Sequence, residues 1–261
     1  MRWWVRSAVA GLALMAALGT AACGSGEPQA GASGAGATGE VTVFAAASLT
    51  ESFTKLGREF EAAHTGTKVT FNFAGSSALA TQITQGAPAD LFAAASPATM
   101  KTVVDAGDAD GTPTVFVKNQ LVIAVPKGNP KGITTLEQLS KPDLKVALCA
   151  EQVPCGAAAK KALGAAGVKV TPVTLEQDVK AALQKVRLGE VDAALVYRTD
   201  AKAASADVDG VEFPESAQAI NDYPIVVLKN APNRAAAQAF LAFVSSERGR
   251  AVLGEAGFQA P

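Results

Sequence analysis

Two serines occupy matching places in the chain. Ser48 follows the β-type run Val41-Thr42-Val43-Phe44-Ala45 and precedes Leu49, Phe53, Leu56 and Phe60 at helical spacing. Ser76 stands likewise between Lys68–Phe73 and a helical stretch carrying Leu79 and Ile83. In open α/β sheets the ligand crevice lies where strand carboxyl ends meet helix N-termini. Those N-termini present unsatisfied N–H groups and a partial positive field, so they favour an anion without any cationic side chain. Serine hydroxyls placed there add donors, and the chemistry this suits is capture of an oxyanion. The same serines also fit a plainer role as helix caps, and Ser48 with Glu51 reads as an S-x-x-E capping box. Tyr197 closes a further strand-like run, Val191–Tyr197, where packing is its simplest role.

Other chemistries lack residues. His64 is the sole histidine and falls near the end of the first predicted helix, where the dipole favours a solvated imidazole. A Ser-His-Asp site therefore has no suitable base. No Walker A run is present to cradle phosphates. With Cys23 in the N-terminal leader region set aside, one histidine and two remaining cysteines are too few for a zinc site, so no side chain is expected to coordinate a metal directly. Asp90, Asp178 and Asp192 fall at strand or helix ends and read as caps or solvated surface.

The elements that must position the serines follow from periodicity and turn residues. Gly66 stops the first helix, Gly86-Ala87-Pro88 turns the chain into a strand at Asp90–Ala94, and Ser96-Pro97 supplies N-cap and N1 of another helix. Gln120–Pro126 is a longer apolar strand closed by proline. A second set follows: strands at Leu144–Leu148, Val168–Val173 and Val191–Tyr197, with helices at Gly156–Leu163 and Asp178–Arg187 between them. A late strand at Pro224–Leu228 and an amphipathic helix at Ala235–Val244 complete the pattern. Such alternation predicts an α/β fold with a mostly parallel sheet covered on both faces. Periodicity alone leaves one large sheet and two lobes both open.

Composition agrees with a globular domain: 49% hydrophobic and 18% charged residues. Omitting residues 1–22, which hold Arg2 and Arg6, leaves 21 basic and 24 acidic residues, a net −3. That balance argues against nucleic acid as a partner, and any anion must be held by local groups. Met1–Arg6 is a basic n-region, Ala8–Leu18 a short apolar run, and Gly19–Ala22 small residues before Cys23. Residues 1–22 read as a signal peptide. The small-small-Cys ending resembles a bacterial lipobox, with Thr20 where leucine is preferred, and it predicts a lipid on Cys23. Gly24–Gly39 holds six glycines in 16 residues, so residues 23–39 are expected to form a flexible tether reaching roughly 20–24 Å. Its Gly34-x-Gly36-x-x-Gly39 spacing is a chance match to a dinucleotide fingerprint, since no strand precedes it and no helix follows.

The strings VTVFAAASLTESF, FAGSSALATQITQGAPADLFAAAS, EQVPCGAAAKKAL, EQDVKAAL and VDAALVYRTDA resemble the periplasmic molybdate-binding proteins of ABC importers, over Val41 to the C-terminus. The resemblance implies a two-lobed class II periplasmic binding protein with its ligand in the cleft. Lobe one is then 41–125 plus 219–261, and lobe two is 126–217. The implied ligand is molybdate or tungstate, with no cofactor. The implied donors are the hydroxyls of Ser48, Ser76 and Tyr197, with Ser77 beside them, and the backbone N–H groups of Cys155 and Val179. Cys155 stands where many relatives have alanine, which a backbone contact tolerates. Cys149 is its implied disulfide partner in an oxidising compartment. The resemblance further implies a monomer without enzymatic activity, lipid-anchored on the extracytoplasmic face, with a membrane permease as partner. A receptor for another tetrahedral oxyanion such as sulfate is the alternative.

Overall fold

The computed structural model describes residues 38–261. The expected signal peptide, Cys23 and nearly all of the expected tether lie outside the described residues. The tether ends earlier than expected, because Gly39 already belongs to the first strand.

The chain begins with β1 (Gly39–Ala46), α1 (Thr50–Ala63), β2 (Thr67–Ala74), α2 (Ser76–Thr84), β3 (Leu91–Ala93), α3 (Pro97–Asp105) and β4 (Thr114–Asn119). It continues with β5 (Leu121–Pro126), β6 (Val146–Cys149), α4 (Pro154–Ala166), β7 (Thr174–Glu176), α5 (Val179–Arg187), β8 (Ala193–Tyr197), α6 (Arg198–Ala203) and β9 (Val208–Val211). It returns through β10 (Asn221–Val227) and ends in α7 (Arg234–Ser245) and α8 (Glu247–Ala256).

Two five-stranded sheets result, ordered β2-β1-β3-β10-β4 and β7-β6-β8-β5-β9. The molecule is therefore two-lobed α/β. Each sheet is mixed rather than mostly parallel: β1 runs parallel to β2 and β3, while β10 is antiparallel to β3 and β4. The second sheet repeats the plan, with β6 parallel to β7 and β8 and β5 antiparallel to β8 and β9. Helical crossovers force parallel pairs, whereas β5 and β10 enter their sheets directly after the chain changes lobe. Strand β5 belongs to the second sheet, so the change of sheet falls at Gln120 and not after Val125. The strand expected at Val168–Val173 is displaced to Thr174–Glu176. Pro172 lacks an N–H for the ladder, and pairing with β6 begins just beyond it.

Alternation along β1 shows how the first sheet is buried on both faces. Val43 and Ala45 join the cluster containing Phe53 and Phe60 of α1 and Phe240 of α7, and Phe44 joins the one beneath α2 and α3 with Leu79, Phe92 and Met100. Phe240 meets both Phe53 and Phe60 edge-on, with centroids 6.2 and 5.2 Å apart. These layers fix the ends of β1 and β2, from which the two serines emerge.

Candidate oxyanion-binding site

A cavity of about 20 Å³ lies where strand ends and helix starts of both sheets converge. The space is small and enclosed by groups from both sheets, on the scale of a compact ion. Ser48, Ser76, Cys155, Val179 and Tyr197 all line it. Ser77 does not; its hydroxyl donates to the carbonyl oxygen of Gln152, 2.7 Å away in the other lobe.

Ser48 lies in a 3-10 turn, Ala47–Leu49, that precedes α1. This corrects the expected capping box. Helix α1 starts at Thr50 with Leu49 at its N-cap and no side-chain cap bond, because the extra turn carries Ser48 ahead of the helix. Its Oγ meets Tyr223 Oη at 2.9 Å in a buried setting. Glu51 instead reaches Lys180 Nζ at 2.8 Å. Ser76 is N1 of α2, only 1% exposed, and its Oγ accepts the Ala95 N–H at 3.0 Å. With one lone pair occupied, its proton is free for a ligand.

Across the cleft, Cys155 follows Pro154 in the first turn of α4, and Val179 opens α5 after the N-cap Asp178. First-turn N–H groups have no intrahelical partner, so both backbones can donate to a guest. A disulfide joins Cys149 at the end of β6 to Cys155. Gly156 is required beside it, since a Cβ there would overlap the backbone of Ala150. Gly75 answers a similar need, as a Cβ there would collide with the Gln177 carbonyl oxygen of the opposite lobe.

Tyr197 ends β8 and is fully buried against Tyr223, their rings perpendicular with centroids 5.9 Å apart. Its Oη accepts from Asn221 Nδ2 at 2.6 Å. Burial pushes the phenol well above its ordinary range, against the pull of hydrogen bonds from Tyr223 and Asn221. It therefore stays a neutral donor at any physiological pH.

No lysine, arginine or histidine is among the lining residues. Asp178 is, but its Oδ1 accepts the Ala181 N–H at 3.0 Å and caps α5. Asp90 accepts the N–H groups of Thr42 and Asn233, and Asp192 that of Lys145. All three carboxylates are structural. His64 stacks on Phe60 with its Nδ1 3.0 Å from the Phe60 carbonyl oxygen, outside the cavity lining. Among the described residues no group of three or more metal-ligating side chains occurs. The arrangement can hold a small anion by dipoles from both lobes.

Sequence reading missed the residues behind the lining. Asn119, Asn221 and Tyr223 bond the cavity hydroxyls or one another. Behind Tyr197, Asp200 is wholly buried and accepts the Tyr197 N–H at 3.1 Å. Its Oδ1 lies 3.0 Å from Lys180 Nζ. Burial pushes the Asp200 carboxyl up to about 6, against the attraction of Lys180. Only the D-A-A-L-V-Y-R-T-D run hinted at it, by placing an acid at the start of a helix.

The family model for bacterial extracellular solute-binding proteins matches residues 41–259. The molybdate-binding protein ModA of Mycobacterium tuberculosis (strain ATCC 25618 / H37Rv) is 43% identical over 260 residues, covering 99% of each chain. The molybdate-binding protein ModA of Escherichia coli (strain K12) is 33% identical over 84% of this chain and 89% of its own. The periplasmic molybdate-binding protein of Azotobacter vinelandii has the same fold, with a TM-score of 0.74 at 19% identity, over 85% of this chain and 99% of that one. The chain belongs to the bacterial extracellular solute-binding protein family, with molybdate-binding proteins as its full-length relatives.

Proposed function

We propose that this protein is an extracytoplasmic receptor that binds molybdate or tungstate and delivers it to the permease of an ABC importer. The observation that carries the reading is the cavity: three hydroxyls and the N-terminal turns of helices from both lobes, with no cationic side chain. Ser48, Ser76 and Tyr197 give hydroxyl donors, and Cys155 and Val179 give N–H donors. Hydrogen bonds to a charged acceptor are each worth about 1.5–3 kcal/mol, so several together offset the desolvation of a dianion. The names of the relatives agree in ligand. Sulfate carries the same charge but is smaller, so donors spaced for the larger ion do not all reach it. Turnover is not part of the proposed role: the one carboxylate in the lining, Asp178, is engaged in capping α5.

The anchor belongs to the same proposal. Cys23, after a basic n-region and a short apolar run, is the lipid attachment point, and the glycine-rich segment lets the receptor reach the permease. Among the described residues no helix is long and apolar enough to cross a membrane. The two lobes correspond to residues on either side of Gln120 and of the return into β10.

Isothermal titration of the purified, desalted protein against molybdate, tungstate, sulfate and phosphate is the test. One site, tight for molybdate and tungstate, much weaker for sulfate and negligible for phosphate, is the expected result. Sulfate bound as tightly as molybdate would move the assignment to the sulfate alternative, and no binding of any of the four would refute an oxyanion receptor.

A further inference from the structure

Residues 149–155 form a lip that the second lobe contributes to the cavity, and one covalent bond closes that lip on itself. Val153, Pro154 and Cys155 line the cavity. The Gln152 carbonyl oxygen accepts from Ser77 Oγ at 2.7 Å, and the Pro154 carbonyl oxygen from Asn221 Nδ2 at 3.4 Å. Both donors belong to the first lobe, on α2 and β10, so these bonds depend on the lobes being together. On its own side the lip is tied more thinly. The Ala150 N–H donates to the Glu176 carbonyl oxygen at 2.8 Å, and the Val153 N–H to the Ala150 carbonyl oxygen at 3.0 Å. Glu151 pairs with Lys160 at 2.6 Å, but both side chains are exposed and such a pair holds little. The Cys149–Cys155 bridge is the remaining tie, from the last residue of β6 to the first turn of α4. Both cysteines are buried.

We propose that this bridge couples thiol redox state to anion affinity. Bridged, the lip keeps its binding shape in the empty protein; reduced, it must be ordered afresh each time an ion binds. The inference rests on the oxyanion reading above and adds a control on the same site. Opening is a two-electron exchange with a thiol reductant such as glutathione. Two glutathione thiols give up two protons and two electrons and join as a disulfide, while the bond between Cys149 and Cys155 breaks and each sulfur takes a proton. The freed lip regains backbone freedom that binding must remove, and fixing about one residue again weakens an ion roughly tenfold. Linkage runs both ways. An ion that binds the bridged form roughly tenfold tighter makes the bridge roughly tenfold harder to reduce.

Calorimetric titration with molybdate tests the first half, on wild type and on two bridge-free forms, Cys149→Ala/Cys155→Ala and Cys149→Val/Cys155→Ala. Circular dichroism first establishes that each variant is folded. Both should bind molybdate roughly tenfold more weakly than wild type. Equilibration of wild type with a glutathione couple, with and without saturating molybdate, tests the second half. The bridged fraction, read by alkylation and intact mass, should require a roughly tenfold more reducing glutathione ratio for half reduction when molybdate is present. A bridge that only holds the fold would lower the melting temperature of the variants and leave their affinity for molybdate unmoved. Folded bridge-free variants that bind within about twofold of wild type, or a half-reduction point that molybdate does not shift, overturn the proposal while the receptor reading stands. Failure of both variants to fold overturns it too, since the bridge would then hold up the lobe and not its lip. Wild-type protein that binds no oxyanion overturns both readings together.

Discussion

Replacing Asp200 with asparagine isolates a buried charge whose cost can be worked out in advance. Asp200 sits in the first turn of α6 with no solvent exposure. Its Oδ2 accepts the Tyr197 N–H, and its Oδ1 pairs with Lys180 Nζ at 3.0 Å. Burial holds the folded carboxyl at about 6, against 3.8 in the unfolded chain. Between those values the folded protein keeps a proton that the unfolded chain has released. The associated stability is fully present below about pH 4 and is lost as pH rises through about 6. The whole span is worth roughly 3 kcal/mol, and the part between pH 5 and 7.5 about 1.4 kcal/mol. Lys180, held protonated by Asp200 and Glu51 against its own burial, does not titrate in this window. The lowered carboxyls of Glu59, Glu137, Asp209 and Glu255 lie at the surface and act at lower pH. Asparagine keeps an oxygen for the Tyr197 N–H and removes the titration. Thermal and urea unfolding of ligand-free wild type and Asp200→Asn from pH 5 to 7.5 should therefore diverge. Relative to the variant, wild type gains about 1.4 kcal/mol at the acid end, a shift of roughly 3–6 °C in Tm. Parallel pH curves for the two proteins would show that the Asp200 charge is not buried at a cost, and the argument would fail.

Ser76→Ala removes a ligand donor and also orphans the buried Ala95 N–H, so it should lower ligand-free stability by about 1–3 kcal/mol as well as molybdate affinity; an unchanged urea midpoint would contradict it. Reducing the Cys149–Cys155 bridge, or Cys149→Ser, opens a loop of six-residue separation and should cost roughly 2 kcal/mol. Alkylation of native protein followed by intact-mass analysis should find both thiols blocked, and labelling of either would refute the bridge. Cys23→Ala should abolish lipid labelling and release the protein from membranes while titration with molybdate stays as in wild type; label persisting on the variant would sink the anchor.

The site was legible in the sequence where its residues sit at junctions between elements. Ser48 and Ser76 stand where a strand gives way to a helix, and local pattern shows such junctions. Cys155, Val179 and Tyr197 are identified as donors only through the family resemblance, and the fold brings all five to one cavity. What supports them was not legible. Tyr223 reaches Ser48 across 175 positions and Asn119 reaches Tyr223 across 104, so only the folded sheets bring them together. The capping-box reading of Ser48 failed because local spacing cannot reveal a distant phenol competing for the same hydroxyl. The antiparallel strands escaped for a related reason. A strand–helix–strand rhythm predicts parallel pairing, and β5 and β10 take their neighbours from where the chain changes lobe.

The absence of a cation in the cavity has a consequence for closure. Lys180 is the nearby cation that packing supplies, and Asp200 at 3.0 Å and Glu51 at 2.8 Å already claim it. That triad carries one net negative charge, so it offers a dianion no attraction, and the first turns of α2, α4 and α5 must supply the field. Those turns belong to different lobes, α2 to one and α4 and α5 to the other. A dianion in an open cleft would thus meet only part of its donors. Among the ligand-independent contacts between lobes, the Glu51–Lys180 pair and the Ser77–Gln152 bond are exposed on at least one side, worth about 0–1 kcal/mol apiece. Each donor to the bound ion is worth more, about 1.5–3 kcal/mol. Buried bonds also join the lobes, from Asn119 Nδ2 to Thr199 Oγ1 at 2.9 Å and from Asn221 Nδ2 to Tyr197 Oη at 2.6 Å, so an ion bridging α2 to α4 and α5 is expected to reinforce a tie the protein already has rather than to be the sole one.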